Sequence, residues 1–281
     1  MTIVKDSNFV VSLQTLKDII EPHKTLVVDV ETNGLDPYGN NQICGVGVGE
    51  PKAGGLLQYY PFRHHQGGNL SPRYLKELIT YLNTLDTFIG YNIKFDLHFL
   101  EKEGLETLNK KLIDVIVMVR LVEHSDTREL ALTPTGERRF GIESVQYDID
   151  TKKELRAKKW NKDFSLAPSD FLGEYCKKDV GLTAMLYEDV LKEIKDTHQE
   201  DIFKLECELT TVLFAMEKRG ISIDTQYAID TQKSLSSRLI EVEQEILTLT
   251  GRTKWNHDLP SASPKHDERE FNIASTAQIG G

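Results

Sequence analysis

Four carboxylates stand at positions where the surrounding pattern calls for apolar side chains. Asp29 interrupts the run Leu26 to Val30, and Glu31 follows two residues on, so both side chains leave the same face of a strand. Asn92 and Asp96 are four apart and share one face of a helix expected over about 92–104, beside Ile93, Leu97 and Leu100. Tyr175, Asp179, Leu182 and Leu186 fall at i, i+4, i+7 and i+11 of a helix beginning near Pro168, which sets Asp179 on an inward stripe. Burying one ionised carboxylate costs several kcal/mol unless something compensates, and four converging acids repel until some take up protons. Two divalent cations remove the conflict by matching the four negative charges. Oxygen-only ligands suit Mg²⁺ or Mn²⁺ better than zinc. Two such ions about 3.5–4 Å apart clamp the attacking and leaving oxygens of an in-line phosphoryl displacement. The chemistry suggested is phosphodiester hydrolysis. Taken singly the signals are weak, since D-x-E ends many strands and Asn-x-x-x-Asp or Tyr-x-x-x-Asp is mostly a solvated helix face. Their joint occurrence, in this order and in these element types, carries the reading.

The elements that must hold these residues alternate through residues 1 to about 195. LVVDV is a short apolar run of the kind that fills a sheet centre. ICGVGVGE and GLLQYYPF follow after turn-rich gaps, so the first three strands form an antiparallel meander. Ser71-Pro72 starts a helix expected to reach about Leu85, and TFIGY is the next strand. Strands followed by alternating helix and strand predict an α/β fold, a mixed sheet flanked by helices. From about residue 198 the period is purely helical. Ile202, Leu205, Leu209, Val212 and Met216 repeat at threes and fours up to a stop at Gly220. Asp224 can cap a second helix carrying Leu235, Leu239, Val242, Ile246 and Leu249, ended by Gly251. The two helices form a C-terminal hairpin that needs a partner surface for its apolar stripes. Residues 252–270 are polar, with two prolines, and are expected to be an exposed loop.

Composition narrows the classes further. Of 281 residues, 39% are hydrophobic and 28% charged, which supports a packed core and about one to two domains. The 34 basic against 44 acidic residues give a net charge of −10, which argues against coating nucleic acid by bulk charge but not against an enzyme whose acids hold metal. Cys44, Cys176 and Cys207 are scattered, so neither a disulfide framework nor a cysteine zinc site is expected. No apolar run approaches the roughly 20 residues needed to cross a bilayer. The start, MTIVKDSNFV, lacks the pattern of a secretory signal. The expectation is a soluble intracellular protein, cytoplasmic, with no membrane partner.

The three acid-bearing stretches resemble the motifs of the DEDD-type 3′–5′ exonucleases, and most closely the proofreading domain of family A (polymerase I-like) DNA polymerases. VVDVETNGLDP (27–37) is similar to D-x-E-T-x-x-L, with Asp29, Glu31, Thr32 and Leu35. IGYNIKFDLHFL (89–100) is similar to G-x-N-x-K-[YF]-D, with Asn92, Lys94, Phe95 and Asp96. EYCKKDVGLT (174–183) is similar to Y-x-x-x-D, with Tyr175 and Asp179, the pattern of the tyrosine subtype. FAMEKRGISID (214–224) resembles the opening of a family A polymerase domain, and FNIASTAQIG (271–280) resembles its FN-x-x-S-x-x-Q-L stretch. The palm segments that hold the polymerase aspartates lie beyond that point in the family, so the chain is not expected to polymerise DNA alone. It would be a truncated chain or the first piece of a split polymerase. Two departures from the pattern stand out. Cys176-Lys177-Lys178 replaces small or acidic residues and adds positive charge next to the site, and the loop 252–270 is longer than usual.

The resemblance implies a ribonuclease-H-like exonuclease domain over 1–195 and the helical start of a polymerase domain over 196–281. It also implies two Mg²⁺ or Mn²⁺ ions per site. Asp29, Glu31 and Asp179 would hold the tighter ion, with Asp29 bridging, and Asp96 would reach the second directly or through water. Tyr175 would orient the attacking water with help from Glu31. Because a phenol with a pKa near 10 is a poor base at neutral pH, the metal must supply most of the activation. Leu35 would wedge against the terminal bases and Phe95 would lie on the substrate side. Thr32 and Asn92 either contact the terminal nucleotide or cap local backbone. The basic stretch 151–164, with Lys158, Lys159 and Trp160, either follows a single strand or is a solvated helix face. His64-His65 has no third ligand nearby and is read as surface. The implied partners are a single-stranded or frayed 3′ DNA end and the rest of a family A polymerase. The rival readings are an RNA-trimming exonuclease of the same superfamily and a non-catalytic module that docks a polymerase.

Overall fold

A computed structural model describes residues 2–123, 127–249, 254–255 and 270–271. The apolar run around Asp29 becomes the middle of a six-stranded mixed sheet. The strands are β1 (Thr2–Ile3), β2 (Thr25–Thr32), β3 (Ile43–Gly49), β4 (Leu57–Pro61), β5 (Thr87–Gly90) and β6 (Lys111–Asp114), in the order β1-β4-β3-β2-β5-β6. The expected antiparallel meander is β2-β3-β4, while β5 and β6 add to β2 in parallel.

Helices cover both faces. The helix α1 (Phe9–Ile20) was not anticipated, although Phe9, Leu13, Leu16 and Ile20 form its buried stripe. It packs with α2 (Pro72–Leu82) and α3 (Ile93–Lys102) over Leu26, Val28 and Val30 of β2. The opposite face carries Val27 of β2 and is covered by α4 (Val115–Val122) and the long α7 (Ser169–Asp196). Helices α5 (Leu132–Phe140) and α6 (Gln146–Ala157) connect them. The sheet therefore has two cores, and the acid-bearing face of β2 lies under α7. Helix α2 stops at Leu82, not Leu85. Leu85 is fully buried, but a turn brings it in, with its N–H donating to the Leu82 carbonyl.

The chain forms two compact units, Met1–Arg219 and Gly220–Gly281. The helix α8 (Glu200–Arg219) belongs to the first and buries Phe203, Cys207, Thr210 and Phe214. Its stripe of Ile202, Leu205, Leu209, Val212 and Met216 lies on the other side and is exposed, 42–56% of each residue being accessible. In the second unit α9 (Thr225–Leu249) is capped by Asp224, whose Oδ1 accepts from the Tyr227 N–H at 2.9 Å. The expected loop 252–270 and FN-x-x-S stretch 271–280 lie outside the described residues, save for the two-residue strands β7 (Lys254–Trp255) and β8 (Glu270–Phe271), which pair in parallel.

Candidate active site and metal centre

The site forms where β2 ends. Asp29 and Glu31 leave the face of β2 that α7 covers, opposite Gly47 and Gly45 of β3. Those glycines are required by close approach. A Cβ on Gly45 would come within 1.8 Å of the Tyr59 hydroxyl, and one on Gly47 within 2.5 Å of Cys176 Sγ. Bare backbone thus admits a buried tyrosine and a thiol beneath the two acids. Cys176 Sγ donates to Asp29 Oδ2 at 3.3 Å. Single ligand atoms from Asp29, Glu31 and Cys176 all lie within 4.8 Å of one another.

Asp96 arrives from the opposite side, in the first turn of α3 and 3% exposed. The turn before it is tight: Asn92 sits at φ 60°, ψ 45°, a left-handed conformation that Asn tolerates better than most residues. Its N–H donates to Asp114 Oδ1 at 2.8 Å. Asp114 also caps α4 by accepting from the Ile116 N–H. The Asn92 side chain is exposed and makes no cap bond, so its backbone conformation, not its amide, is what this turn uses. Asp96 Oδ1 in turn accepts the Val30 N–H at 2.9 Å, which ties α3 to the strand between Asp29 and Glu31.

Helix α7 brings Tyr175, Cys176 and Asp179. Asp179 Oδ1 accepts from the Tyr147 hydroxyl at 2.5 Å, and the Tyr175 hydroxyl donates to Asp148 Oδ1 at 3.1 Å while also reaching Asp179. Tyr147 and Asp148, in the first turn of α6, were not singled out from the sequence. No spacing rule connects α6 to α7, so only the fold reveals them.

The structure brings Asp29, Glu31, Asp96, Asp179 and Tyr175 together. Burial pushes the Asp29 carboxyl up to about 6, with the thiol bond of Cys176 pulling the other way. Asp179 is pushed up to about 8, by burial first and then by the charge of Asp29. Glu31 and Asp96 are raised well above the ordinary carboxylate range by burial and then by neighbouring carboxylates. Burial and the charges of Asp179 and Glu31 raise the Tyr175 phenol too. Among the described residues no ion pair reaches the quartet: nearby Lys94, Lys152 and Lys177 are bound to Glu217, Asp148 and Glu174. Lys177 is fully buried against Glu174, and Lys178 lies over the Tyr147 ring, so the positive charge inside the third motif is already engaged. Clustered acids that no ion pair reaches among the described residues could hold hard divalent cations, with Asp29 and Glu31 in the group whose ligand atoms lie within 4.8 Å of one another and Asp96 and Asp179 outside it.

The remaining candidates separate. Leu35 is 83% exposed on the loop after β2 and lines a cleft of about 440 Å³ with Thr32, Gly34, Asn161, Lys162 and Phe164. Thr32 caps backbone, its hydroxyl donating to the Gly34 carbonyl at 2.7 Å. Phe95 is half-buried against Phe99. Lys158 and Lys159 are exposed at the end of α6, and Trp160 packs edge-on against Phe171 in a small core. The basic stretch reaches the cleft through Asn161 and Lys162 instead. His64 is not on the surface: it is 5% exposed, with Nε2 at 2.8 Å from the Tyr59 hydroxyl and Nδ1 at 2.9 Å from the Ala167 carbonyl. It braces the tyrosine beneath the acids, while His65 is exposed.

A mixed sheet with acids at the end of its central strand and along a covering helix defines a nuclease-type α/β fold, and the comparisons agree. The chain belongs to the RNase_H superfamily, whose profile matches residues 26–191, more than half of its length. It is 27% identical over 257 residues to DNA polymerase I of Synechocystis sp., covering 90% of this chain and 23% of that protein. It is 24% identical over 252 residues to DNA polymerase DpoZ of Salmonella phage PMBT28, covering 83% of this chain and 36% of that protein. The chain thus spans well under half the length of these relatives. In fold it is similar to the POL domain of Pol1 from M. smegmatis, with a TM-score of 0.55 at 15% identity, covering 93% of this chain and 38% of that one. These matches bear out the resemblance drawn from the motifs, that of a family A exonuclease domain. No helix among the described residues is long and apolar enough to cross a membrane.

Proposed function

We propose that the chain is a metal-dependent 3′–5′ exodeoxyribonuclease of the tyrosine subtype, the proofreading part of a family A DNA polymerase. The observation that carries this reading is the convergence of four carboxylates, Glu31 and Asp96 buried and Asp29 and Asp179 half-buried, from three separate stretches of chain, with no ion pair to balance them among the described residues. The chemistry that Mg²⁺ or Mn²⁺ would supply here, when bound, is that charge balance and a lowered pKa for the attacking water. The protein's own residues do the positioning. Asp29, Glu31 and Asp179 would hold one ion and Asp96 would serve a second, while Tyr147 fixes the Asp179 carboxylate. Tyr175, held between Asp148 and Asp179, orients the water through its hydroxyl and does not act as a free base. Leu35 and Lys162 face the terminal nucleotide from the cleft beside Thr32.

On this reading residues 1–195 are the exonuclease domain and 196–281 begin a polymerase domain, in a cytoplasmic protein. The exposed apolar stripe of α8 favours a polymerase surface as the partner. The test is Mg²⁺-dependent digestion of a single-stranded DNA oligonucleotide by the unaltered chain, Asp29→Ala and Asp96→Ala. Loss of nucleoside 5′-monophosphate release in both variants, with far-ultraviolet circular dichroism unchanged, is expected. Undiminished release refutes the assignment, and faster trimming of an RNA oligonucleotide of the same sequence would transfer it to an RNA-processing enzyme.

A further inference from the structure

We infer that Cys176 gives this metal centre a sulfur ligand, so that a thiophilic divalent cation (Co²⁺, Zn²⁺ or Cd²⁺) binds on Asp29, Glu31 and Cys176. The inference rests on the proposed metal centre and concerns a residue the two-cation reading does not use. Three features place the sulfur there. Sγ lies 3.3 Å from Asp29 Oδ2, and one ligand atom from each of the three residues lies within 4.8 Å of the other two. Metal–sulfur bonds of about 2.3 Å and metal–carboxylate bonds of about 2.0–2.2 Å set such donors roughly 3.6 Å apart at a tetrahedral angle. Gly47, paired with Asp29 across the sheet, leaves open the volume that the sulfur occupies, since a Cβ there would lie 2.5 Å from Sγ. With Mg²⁺, a hard ion, the thiol stays a hydrogen-bond donor to Asp29. With a thiophilic ion, the S–H bond gives way to a sulfur–metal bond and its proton passes to solvent, with no change of oxidation state.

The test uses the full metal-free chain titrated with Co²⁺ alone, read by the near-ultraviolet sulfur-to-cobalt charge-transfer band. The band is expected in the unaltered chain, absent in Cys176→Ser, Cys176→Ala and Asp29→Asn, and retained in Cys207→Ser. Calorimetric Cd²⁺ affinity is expected to fall on the order of tenfold or more in Cys176→Ser, with Mn²⁺ affinity changing far less. A chain without the band, a band that survives Cys176→Ser, or a band lost in Cys207→Ser overturns the inference. Should the Cys176 variants fail to fold, the double variant Cys44→Ser, Cys207→Ser decides, because Cys176 is then the one thiol left of three. A retained band supports the sulfur ligand and a lost one overturns it. Digestion of DNA with Mg²⁺ is measured separately on the unaltered chain. Digestion without the band removes the sulfur ligand and leaves the nuclease, whereas the band without digestion does the reverse.

Discussion

A single buried acid, Asp148, lies beside the cluster of Asp29, Glu31, Asp96 and Asp179, and the two are treated oppositely. Asp148 is 3% exposed, yet Lys152 pairs with it at 2.9 Å, the Thr133 hydroxyl donates to it at 2.6 Å and the Tyr175 hydroxyl at 3.1 Å. Asp29, Glu31, Asp96 and Asp179 are drawn together with no ion pair reaching them among the described residues; burial raises the protonation range of every one, and neighbouring carboxylates raise those of Glu31, Asp96 and Asp179 further. The contrast teaches that burial alone does not mark a metal site. What marks it is charge that the fold gathers and then declines to neutralise.

The sharpest way to break the comparison is to remove an acid from the quartet. Asp29→Ala or Asp96→Ala is expected to cost on the order of 10³-fold or more in DNA digestion, equivalent to about 4 kcal/mol of lost transition-state stabilisation. Single-turnover assays check this. The next effect is on stability. Burial pushes Asp29 up to about 6 and, with the charge of Asp29, pushes Asp179 up to about 8 in the folded chain, against an ordinary 3.8. Between roughly pH 4 and pH 8 the folded state therefore binds more protons than the unfolded one, and metal-free stability falls as pH rises through that window. The fall is expected to be on the order of a few kcal/mol, and Mn²⁺ should recover most at the alkaline end. Thermal melts with and without the ion measure it, and stability that climbs with pH in the metal-free chain would contradict the picture.

A smaller effect separates Asp148 from the quartet by sign. Asp148→Ala strands Lys152 and Tyr175 and should destabilise by about 1–3 kcal/mol, whereas Asp179→Asn should stabilise the metal-free chain near neutral pH; denaturant titration of both variants reads the difference. The smallest concerns the cleft. Lys162→Ala should weaken single-strand binding a few-fold and reduce the salt slope by about 0.7, while Lys158→Ala and Lys159→Ala, at the exposed end of α6, change binding less. Fluorescence anisotropy over a salt series reads all three.

The residues of the quartet were legible in the sequence because each interrupts a periodic apolar pattern, and β2, α3 and α7 follow from those patterns. The helical period of 202–216 was equally legible, but its orientation was not. Both the 202/205/209 stripe and the 203/207/214 stripe are apolar, and packing against the sheet chose the second. Tyr147 and Asp148 were invisible because their partners on α7, Asp179 and Tyr175, lie 32 and 27 residues away in sequence. His64 passed for a surface residue because a loop histidine gives no sign that Tyr59 and Ala167 enclose it. Trp160 was grouped with a stretch that either follows a single strand or is a solvated face, because its basic surroundings hide the small core that holds it.

The single bond from the Val30 amide to Asp96 has a spectroscopic use. That amide sits between the two strand acids and donates to a third, so it registers any redistribution of charge on the carboxylate it touches. In an isotope-labelled sample its resonance would act as a built-in voltmeter for cation loading, readable without substrate, turnover or an added dye.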